Sequence, residues 1–224
     1  MHYKNLVKAK RLDRSMNDEM SRNARESYVR VLRSRRVDDI LDFLKKWRIR
    51  VKIDGSKLDK AIQVNQSTLS RLRRREYQIT DANLRDTNTH DAIIELFGIF
   101  SKKVSIGRHT YTGASKILHV MVPNLFVMWD DAIRWAYACR SQDEEHGEDY
   151  FTFLKRTQGE LKEAIRSYGI QHNCSDEEAM KKIGEELFEP GYDSFSRLID
   201  CYNYQKFTLG KDELWSNEWV DLTT

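Results

Sequence analysis

The sequence predicts an all-α protein, and three observations support that prediction. The 224 residues include only two prolines and ten glycines, the residues that most often interrupt helices. Apolar residues recur at spacings of three and four, as they do along one face of an α-helix. No alternation of polar and apolar residues is long enough for a convincing strand, although 48–53 is a candidate for a short one.

Helix starts are indicated by capping residues. Thr89 is a candidate N-cap for an apolar stripe behind it. Ser175-Asp-Glu-Glu has the form of a capping box, in which the serine side chain accepts a bond from the third residue of the helix. The apolar spacing and these caps predict helices over 37–47, 93–100, 150–168, 179–187 and 192–204.

Charge is distributed unevenly along the chain. Residues 1–80 contain 22 basic and 10 acidic residues, whereas residues 141–224 contain 9 basic and 19 acidic residues. We therefore divide the chain into a basic N-terminal region, 1–85, and a region 86–224 that carries the candidate site; one continuous domain is the alternative. The basic region suggests that a polyanion is the partner, and unequally charged helix faces without a partner are the other interpretation.

Several classes of protein are disfavoured. The apolar runs are too short and too interrupted for a membrane span, and the N-terminus has no apolar core of a secretory signal, so we expect a cytoplasmic protein. Cys139, Cys174 and Cys201 lie far apart, without the spacing of a zinc site or a disulfide framework. We predict no metal and no cofactor.

The segment 58–75 resembles a helix-turn-helix motif. Its first helix would bury Leu58 and Ile62, Val64 would fill the turn, and a second helix would begin near Gln66. Polar residues at the start of such a second helix contact base edges, and arginines that follow contact phosphates. The predicted DNA-binding residues here are Gln66, Ser67, Arg71, Arg73, Arg74 and Arg75. An ordinary helix pair with a basic face is the alternative.

The most hydrophobic segment, 112–137, contains a lysine and two aspartates. Lys116 lies on an apolar helix that Pro123 should end, and Asp130 or Asp131 can cap the next helix. A desolvated lysine loses its proton near neutral pH and attacks electrophilic carbon, while a carboxylate stabilises developing positive charge. This pair suits cleavage of an N-glycosidic bond. In the alternative, Lys116 extends to solvent and the aspartate is only a cap.

Gly113-Ala-Ser-Lys116, the following helix and proline turn, and Trp129-Asp130-Asp131-Ala132-Ile133 are together similar to the active-site region of helix-hairpin-helix DNA glycosylases, especially those related to 8-oxoguanine DNA glycosylase. The resemblance implies a multi-helix fold around a helix-hairpin-helix element. It also implies that Lys116 is the nucleophile and that Asp130 assists it. Whether Asp130 or Asp131 faces the site stays open.

Residues near this segment fit the same hypothesis as candidates for a base pocket and for phosphate contacts. An extruded base needs an apolar slot with a stacking partner, for which Phe126, Trp129 and Trp135 are candidates, with core packing as the alternative. Arg108, His109 and Gly113 are candidates for contacts to the DNA backbone.

The sequence therefore predicts a monomeric DNA N-glycosylase that removes a damaged or modified base from duplex DNA, with or without lyase activity. A variant of this prediction is a glycosylase that acts on a free nucleotide or nucleoside. The main alternative is a non-catalytic helix-turn-helix regulator, which would bind as a dimer. A helical protein whose acidic C-terminal third binds a basic partner is a further alternative.

Overall fold

A computed structural model describes residues 1–16, 19–139 and 146–211, and eleven α-helices account for most of these residues. The all-α class is confirmed. Within the described ranges the predicted strand at 48–53 reduces to an isolated antiparallel bridge between Ile53 and Ser105. The helices are α1 (Tyr3–Ser15), α2 (Glu19–Ser34), α3 (Val37–Lys46), α4 (Gly55–Val64), α5 (Gln66–Leu72), α6 (Thr87–Gly98), α7 (Tyr111–Met121), α8 (Asp131–Ala136), α9 (His146–His172), α10 (Asp176–Leu187) and α11 (Phe195–Asn203).

Two helices continue into π-helical turns, Ile99–Lys103 after α6 and Tyr204–Thr208 after α11. Such turns often occur near functional sites. No described helix is long and apolar enough to cross a membrane.

The caps follow the sequence with one exception. The Ser175 side chain accepts a bond from the Glu178 amide at 3.2 Å, which confirms Ser175 as the N-cap of α10. At α6 the predicted cap Thr89 is wrong. Asp86 is the N-cap, and its carboxylate accepts bonds from both the amide and the hydroxyl of Thr89 at 2.8 Å. The carboxylate is the stronger acceptor, and Thr89 lies one turn inside the helix.

One hydrophobic core joins the two regions of the chain. Helix α1 packs on α9 and α11, α2 packs on α3 and α7, and α6 packs on α9. Helices from 1–85 and from 86–224 thus contribute to the same cluster of buried side chains. Trp129, Tyr150 and Phe97 form the aromatic centre of this cluster, and the Tyr150 hydroxyl donates to the Val127 carbonyl at 2.8 Å.

Helices α4 and α5 form the predicted helix pair, but the turn differs from the prediction. Leu58 and Ile62 are buried as expected. Val64 does not fill the turn, since it is 71% exposed. The connection is the single residue Asn65, whose side-chain amide donates to the Ala61 carbonyl at 2.8 Å, and this short turn directs the last side chain of α4 to solvent.

Gly113 is required by close packing at the start of α7. Thr110 caps this helix by accepting a bond from the Gly113 amide at 3.1 Å. A Cβ at residue 113 would overlap the Thr110 side chain that makes this bond. Gly113→Ala is therefore expected to lower the free energy of unfolding by about 1 to 3 kcal/mol.

Gly159→Ala is the matched control for that prediction. Gly159 lies within α9, and a Cβ there has nothing within 4 Å. Because alanine favours helix more than glycine, this variant should be stabilised by up to about 1 kcal/mol. Urea denaturation of the two variants measures the difference; equal stabilities would contradict the packing argument.

Candidate active site

Lys116 lies on α7 with its amine at the edge of the core. The side chain is half-buried, and Nζ donates to the Trp47 carbonyl oxygen at 3.3 Å. The amine also lies 5.0 Å from the centroid of the Trp47 ring, within the range of a cation–π contact. Burial lowers the pKa of Lys116 to about 8, although the carboxylates of Asp200 and Asp130 oppose this change. With that pKa, about a tenth of the amine is unprotonated at pH 7.

A buried histidine fixes the orientation of α7. His119 Nδ1 lies 2.6 Å from the Phe126 carbonyl, and Nε2 lies 2.6 Å from the Tyr28 hydroxyl. Since a carbonyl only accepts, we assign the ring proton to Nδ1, and Nε2 accepts from Tyr28. Burial lowers the pKa of His119 to about 3, so the ring stays neutral. This chain of bonds ties α7 to α2 one turn beyond Lys116.

The segment before α8 places Asp130 opposite α7. The Trp129 amide donates to Ser115 Oγ at 3.2 Å, and the Trp129 indole nitrogen donates to the Tyr111 carbonyl at 3.2 Å. The residue that follows, Asp130, caps α8 by accepting from the Ile133 amide at 3.0 Å. Its other carboxylate oxygen accepts from Thr208 Oγ1 at 2.6 Å. Two contacts between α7 and Trp129 thus hold the aspartate on the Lys116 side of the chain.

The structure distinguishes the two neighbouring aspartates. Asp130 lines the same cavity as Lys116. The Asp131 side chain is 82% exposed and lies 3.5 Å from Arg134 on the surface of α8. Asp130 is therefore the carboxylate with access to a ligand beside Lys116.

The cavity beside Lys116 has a volume of about 470 Å³, within the usual range for small-molecule sites. Lys116, Arg197 and the carboxylates of Asp13, Asp130 and Asp200 line it. Met128 and Trp129 contribute apolar surface to the lining. A ligand with an electron-poor carbon and hydrogen-bond donors would be complemented by this interior.

Arg197 and Asp200, which lie on α11, were missed by the sequence analysis. Arg197 is paired with Asp200 and donates to Asp13 Oδ1 at 3.3 Å and to the Tyr192 hydroxyl at 3.2 Å. Burial raises the pKa of Asp200 to about 6, and Arg197 opposes that change. An arginine and an aspartate three residues apart in the mostly apolar stretch 195–202 were the available signal.

The aromatic residues predicted for a base pocket occupy three different environments. Trp129 lines the cavity. Phe126 is fully buried, stacks near Tyr150 with ring centroids 6.2 Å apart and does not line the cavity. Trp135 is 60% exposed on α8, away from the cavity lining. Trp47 and Tyr204, which the sequence analysis did not select, line the cavity instead.

The loop 104–110 joins α6 and its π-turn to α7 and exposes its tip. The loop is held by bonds from the Ile106 amide to the Lys52 carbonyl and from the Asp54 amide to the Val104 carbonyl, at 2.9 and 2.8 Å. Gly107 has φ +89°, which favours glycine. Arg108 and His109 are exposed at this tip, and their amides donate to no acceptor among the described residues.

The predicted backbone contact of Gly113 is wrong. Its amide is buried and already donates to Thr110 Oγ1, so it cannot also reach a phosphate.

The predicted DNA-binding residues of the helix pair also divide into two groups. Gln66, Ser67, Arg74 and Arg75 are exposed. Arg73 instead caps the end of α7, with Nε donating to the Met121 carbonyl at 2.7 Å, which corrects its assignment to phosphate binding. Arg71 donates to the Asn88 carbonyl at 3.4 Å and is only half-exposed.

Across the described ranges, no group of three or more His, Cys, Asp or Glu side chains is arranged to hold a metal ion. Comparison with known proteins gives no relative: no family model, curated protein or solved structure matches the chain.

Proposed function

We propose that the protein is a DNA N-glycosylase in which Lys116 is the nucleophile and Asp130 the assisting carboxylate. The observation that carries the proposal is the shared cavity in which a lysine amine with a lowered pKa lies among carboxylates. Perturbed titratable groups that converge in a cavity are typical of catalytic sites. The resemblance of 113–133 to helix-hairpin-helix glycosylases supports the same chemistry.

The chemistry follows from the charges of the cavity. As the N-glycosidic bond of an extruded nucleotide breaks, positive charge develops on the sugar, and the Asp130 carboxylate stabilises it. The free amine of Lys116 bonds to C1′, and the base leaves with the bonding electrons and takes up a proton. Loss of a proton from the new ammonium and opening of the sugar ring then give a Schiff base between Lys116 and C1′.

Asp200 is a second carboxylate that acts on the amine. Its attraction for the Lys116 ammonium exceeds that of Asp130. Burial raises the pKa of Asp200 to about 6, which lies below that of Lys116, so Asp200 is mostly ionised at neutral pH and its charge favours the ammonium form of the lysine.

Two exposed surfaces suit the DNA duplex. The tip of the loop 104–110 offers backbone amides that donate to no acceptor in the described part of the chain, with Arg108 and His109 beside them, an arrangement that binds phosphate. The second surface is the start of α5 with Arg74 and Arg75 beyond it.

A comparison of Asp130→Asn with Asp131→Asn tests the proposal. Asparagine caps a helix as well as aspartate does, so Asp130→Asn removes charge while α8 stays capped. We expect release of a damaged base to slow by about a hundredfold to a thousandfold in Asp130→Asn and to be unchanged in Asp131→Asn. The assay measures base release from duplexes with oxidised, alkylated or deaminated bases; equal rates in the two variants, or no release by wild type, would refute it.

A non-catalytic DNA-binding protein is the second candidate, favoured by the exposed polar start of α5. Helix-turn-helix regulators bind twofold sites as dimers. A dimer in solution that binds undamaged duplex and releases no base would support this candidate over the glycosylase.

A further inference from the structure

The turn that follows α3 has an unusual residue at its left-handed position. Arg48 has φ +57°, where glycine is the common residue. The Ile49 amide donates to the Leu44 carbonyl and the Arg48 amide to the Lys45 carbonyl, both at 3.0 Å, which completes the bonding pattern of a Schellman motif. Arginine at this position is strained relative to glycine, and such strain is often found at functional sites.

This turn forms part of the cavity mouth. Arg48 and Arg50 both line the cavity and are exposed. Tyr204 lines the same cavity; burial raises the pKa of its hydroxyl, and the charge of Arg48 opposes that change. The guanidinium groups therefore face the space that a ligand would cross.

The two arginines differ from the other cations at the mouth. Arg25 is paired with Glu189, and Lys46 lies 3.1 Å from Asp42. Among the described residues neither Arg48 nor Arg50 forms an ion pair with a carboxylate. Two cations thus have no carboxylate partner among the described residues, and they lie at a cavity lined by three carboxylates, of which Asp13 and Asp200 are paired with Arg197.

The turn is also joined directly to the candidate nucleophile. Lys116 Nζ donates to the carbonyl of Trp47, the residue immediately before Arg48. An anion held by Arg48 would therefore lie beside the part of the cavity where the amine acts. A nucleotide matches this arrangement. Its anionic phosphate would lie at the arginines, and the hydrogen-bond donors of its base would face carboxylates that line the cavity.

We propose that Arg48 and Arg50 form a phosphate subsite that holds the phosphate of a nucleotide whose sugar and base enter the cavity. This inference rests on the proposed function, because it assigns the ligand of the same cavity. The phosphate belongs either to the DNA backbone or to a free nucleotide, and arginine binds both through paired N–H donors.

Arg48→Gly is the decisive variant, because glycine relieves the strain while the cation is lost. Its melting temperature should equal or exceed that of the wild type. Arg35→Gly is the matched control: Arg35 has φ +50° and lies outside this cavity. Arg50→Gln removes the second cation without a change in backbone strain.

Binding is measured with a duplex that carries a tetrahydrofuran abasic analogue, over a range of salt concentrations. It is measured in parallel with 2′-deoxyadenosine 5′-monophosphate and with 2′-deoxyadenosine. If the subsite holds a phosphate of the DNA backbone, Arg48→Gly and Arg50→Gln should each bind the duplex more weakly than the wild type. The slope of log binding constant against log salt concentration should then be smaller in magnitude by about one. If the subsite holds the phosphate of a free nucleotide, the two variants should bind the monophosphate about tenfold more weakly than the wild type does, while their binding of the nucleoside is unchanged. Either result supports the subsite if Arg35→Gly behaves as wild type.

The subsite is refuted if Arg48→Gly binds the duplex and the monophosphate as wild type does, if Arg35→Gly loses as much affinity, or if the wild type binds neither probe. Binding of these probes does not depend on cleavage of a glycosidic bond. The tetrahydrofuran duplex has no base at the analogue, and with the monophosphate only binding is measured. Failure of the subsite is therefore distinct from failure of the glycosylase, which base release reports.

Discussion

Lys116→Met is expected to stabilise the protein at pH 7 and to abolish base release. Methionine keeps most of the side-chain volume and removes the penalty of burying an ammonium group. Because the pKa of Lys116 falls from 10.5 to about 8 on folding, we expect the free energy of unfolding to rise by about 1 to 3 kcal/mol. The lower end of this range allows for two contacts that the variant loses, the hydrogen bond to the Trp47 carbonyl and the cation–π contact with the Trp47 ring.

The gain in stability should depend on pH with a definite sign. Below about pH 8 the lysine is charged in both the folded and the unfolded protein, so the wild type bears the full penalty. Between about pH 8 and 10.5 the unfolded chain binds the additional proton, so wild-type stability rises with pH relative to the variant. The advantage of Lys116→Met should therefore shrink across this range.

Denaturant titrations at several pH values measure this difference, and Lys103→Met is the control because Lys103 is exposed. Base release by Lys116→Met should fall by at least about a thousandfold, as expected when a nucleophile is removed. A variant less stable than the wild type at pH 7, or one that still releases base, would contradict the role of a desolvated nucleophile.

Arg197→Leu is expected to destabilise the protein by about 3 to 5 kcal/mol at pH 7. Arg197 pairs with the buried Asp200, bonds to Asp13, and lies over the rings of Tyr28, Trp47 and Tyr192 at 5.6, 5.4 and 5.6 Å. Its removal leaves the buried Asp200 without its ion-pair partner and leaves Asp13 with only Lys10, at 4.0 Å, which costs far more than loss of an exposed pair.

The stability lost in Arg197→Leu should become smaller as the pH is lowered. Without Arg197 the pKa of Asp200 would rise above its present value of about 6, since the arginine now opposes the effect of burial. Protonation of Asp200 as the pH falls through that higher pKa removes the unpaired charge, so the difference from wild type should decrease toward pH 5.

Arg25→Leu is the control for an exposed pair. The Arg25 side chain is 38% exposed and pairs with Glu189, so the loss should be below about 1 kcal/mol. Thermal and urea denaturation at pH 5 and pH 7 compare the two variants. Similar losses for both arginines, or a loss in Arg197→Leu that grows toward pH 5, would refute this role of the buried network.

The features that the sequence predicted are those determined by local spacing. Apolar periodicity located the helices, Ser175 indicated its own cap, and Pro123 follows the end of α7 at Met121. The placement of Lys116 and Asp130 on the same cavity was also accessible, because only the turn after α7 separates the two residues in the sequence. Local contacts of Ser115 and Trp129 then hold the two sides together.

The rest of the site depends on contacts between distant parts of the chain. Trp47 lies 69 residues before Lys116, yet its carbonyl accepts the bond from the amine. Asp200 and Arg197 reach the cavity only because α11 packs against α1. Periodicity also could not assign Val64 and Trp135 to solvent, because both lie at or near the ends of short helices, where apolar spacing no longer defines a face.

Borohydride trapping tests the nucleophile most directly. Duplexes with oxidised, alkylated, deaminated and abasic sites are incubated with wild type, Lys116→Gln and Lys103→Met, reduced with borohydride, and the adduct is located by peptide mass spectrometry. We expect wild type and Lys103→Met to form a covalent adduct on residue 116 and Lys116→Gln to form none. No adduct from wild type on any duplex, or an adduct that persists in Lys116→Gln, would contradict Lys116 as the Schiff-base nucleophile.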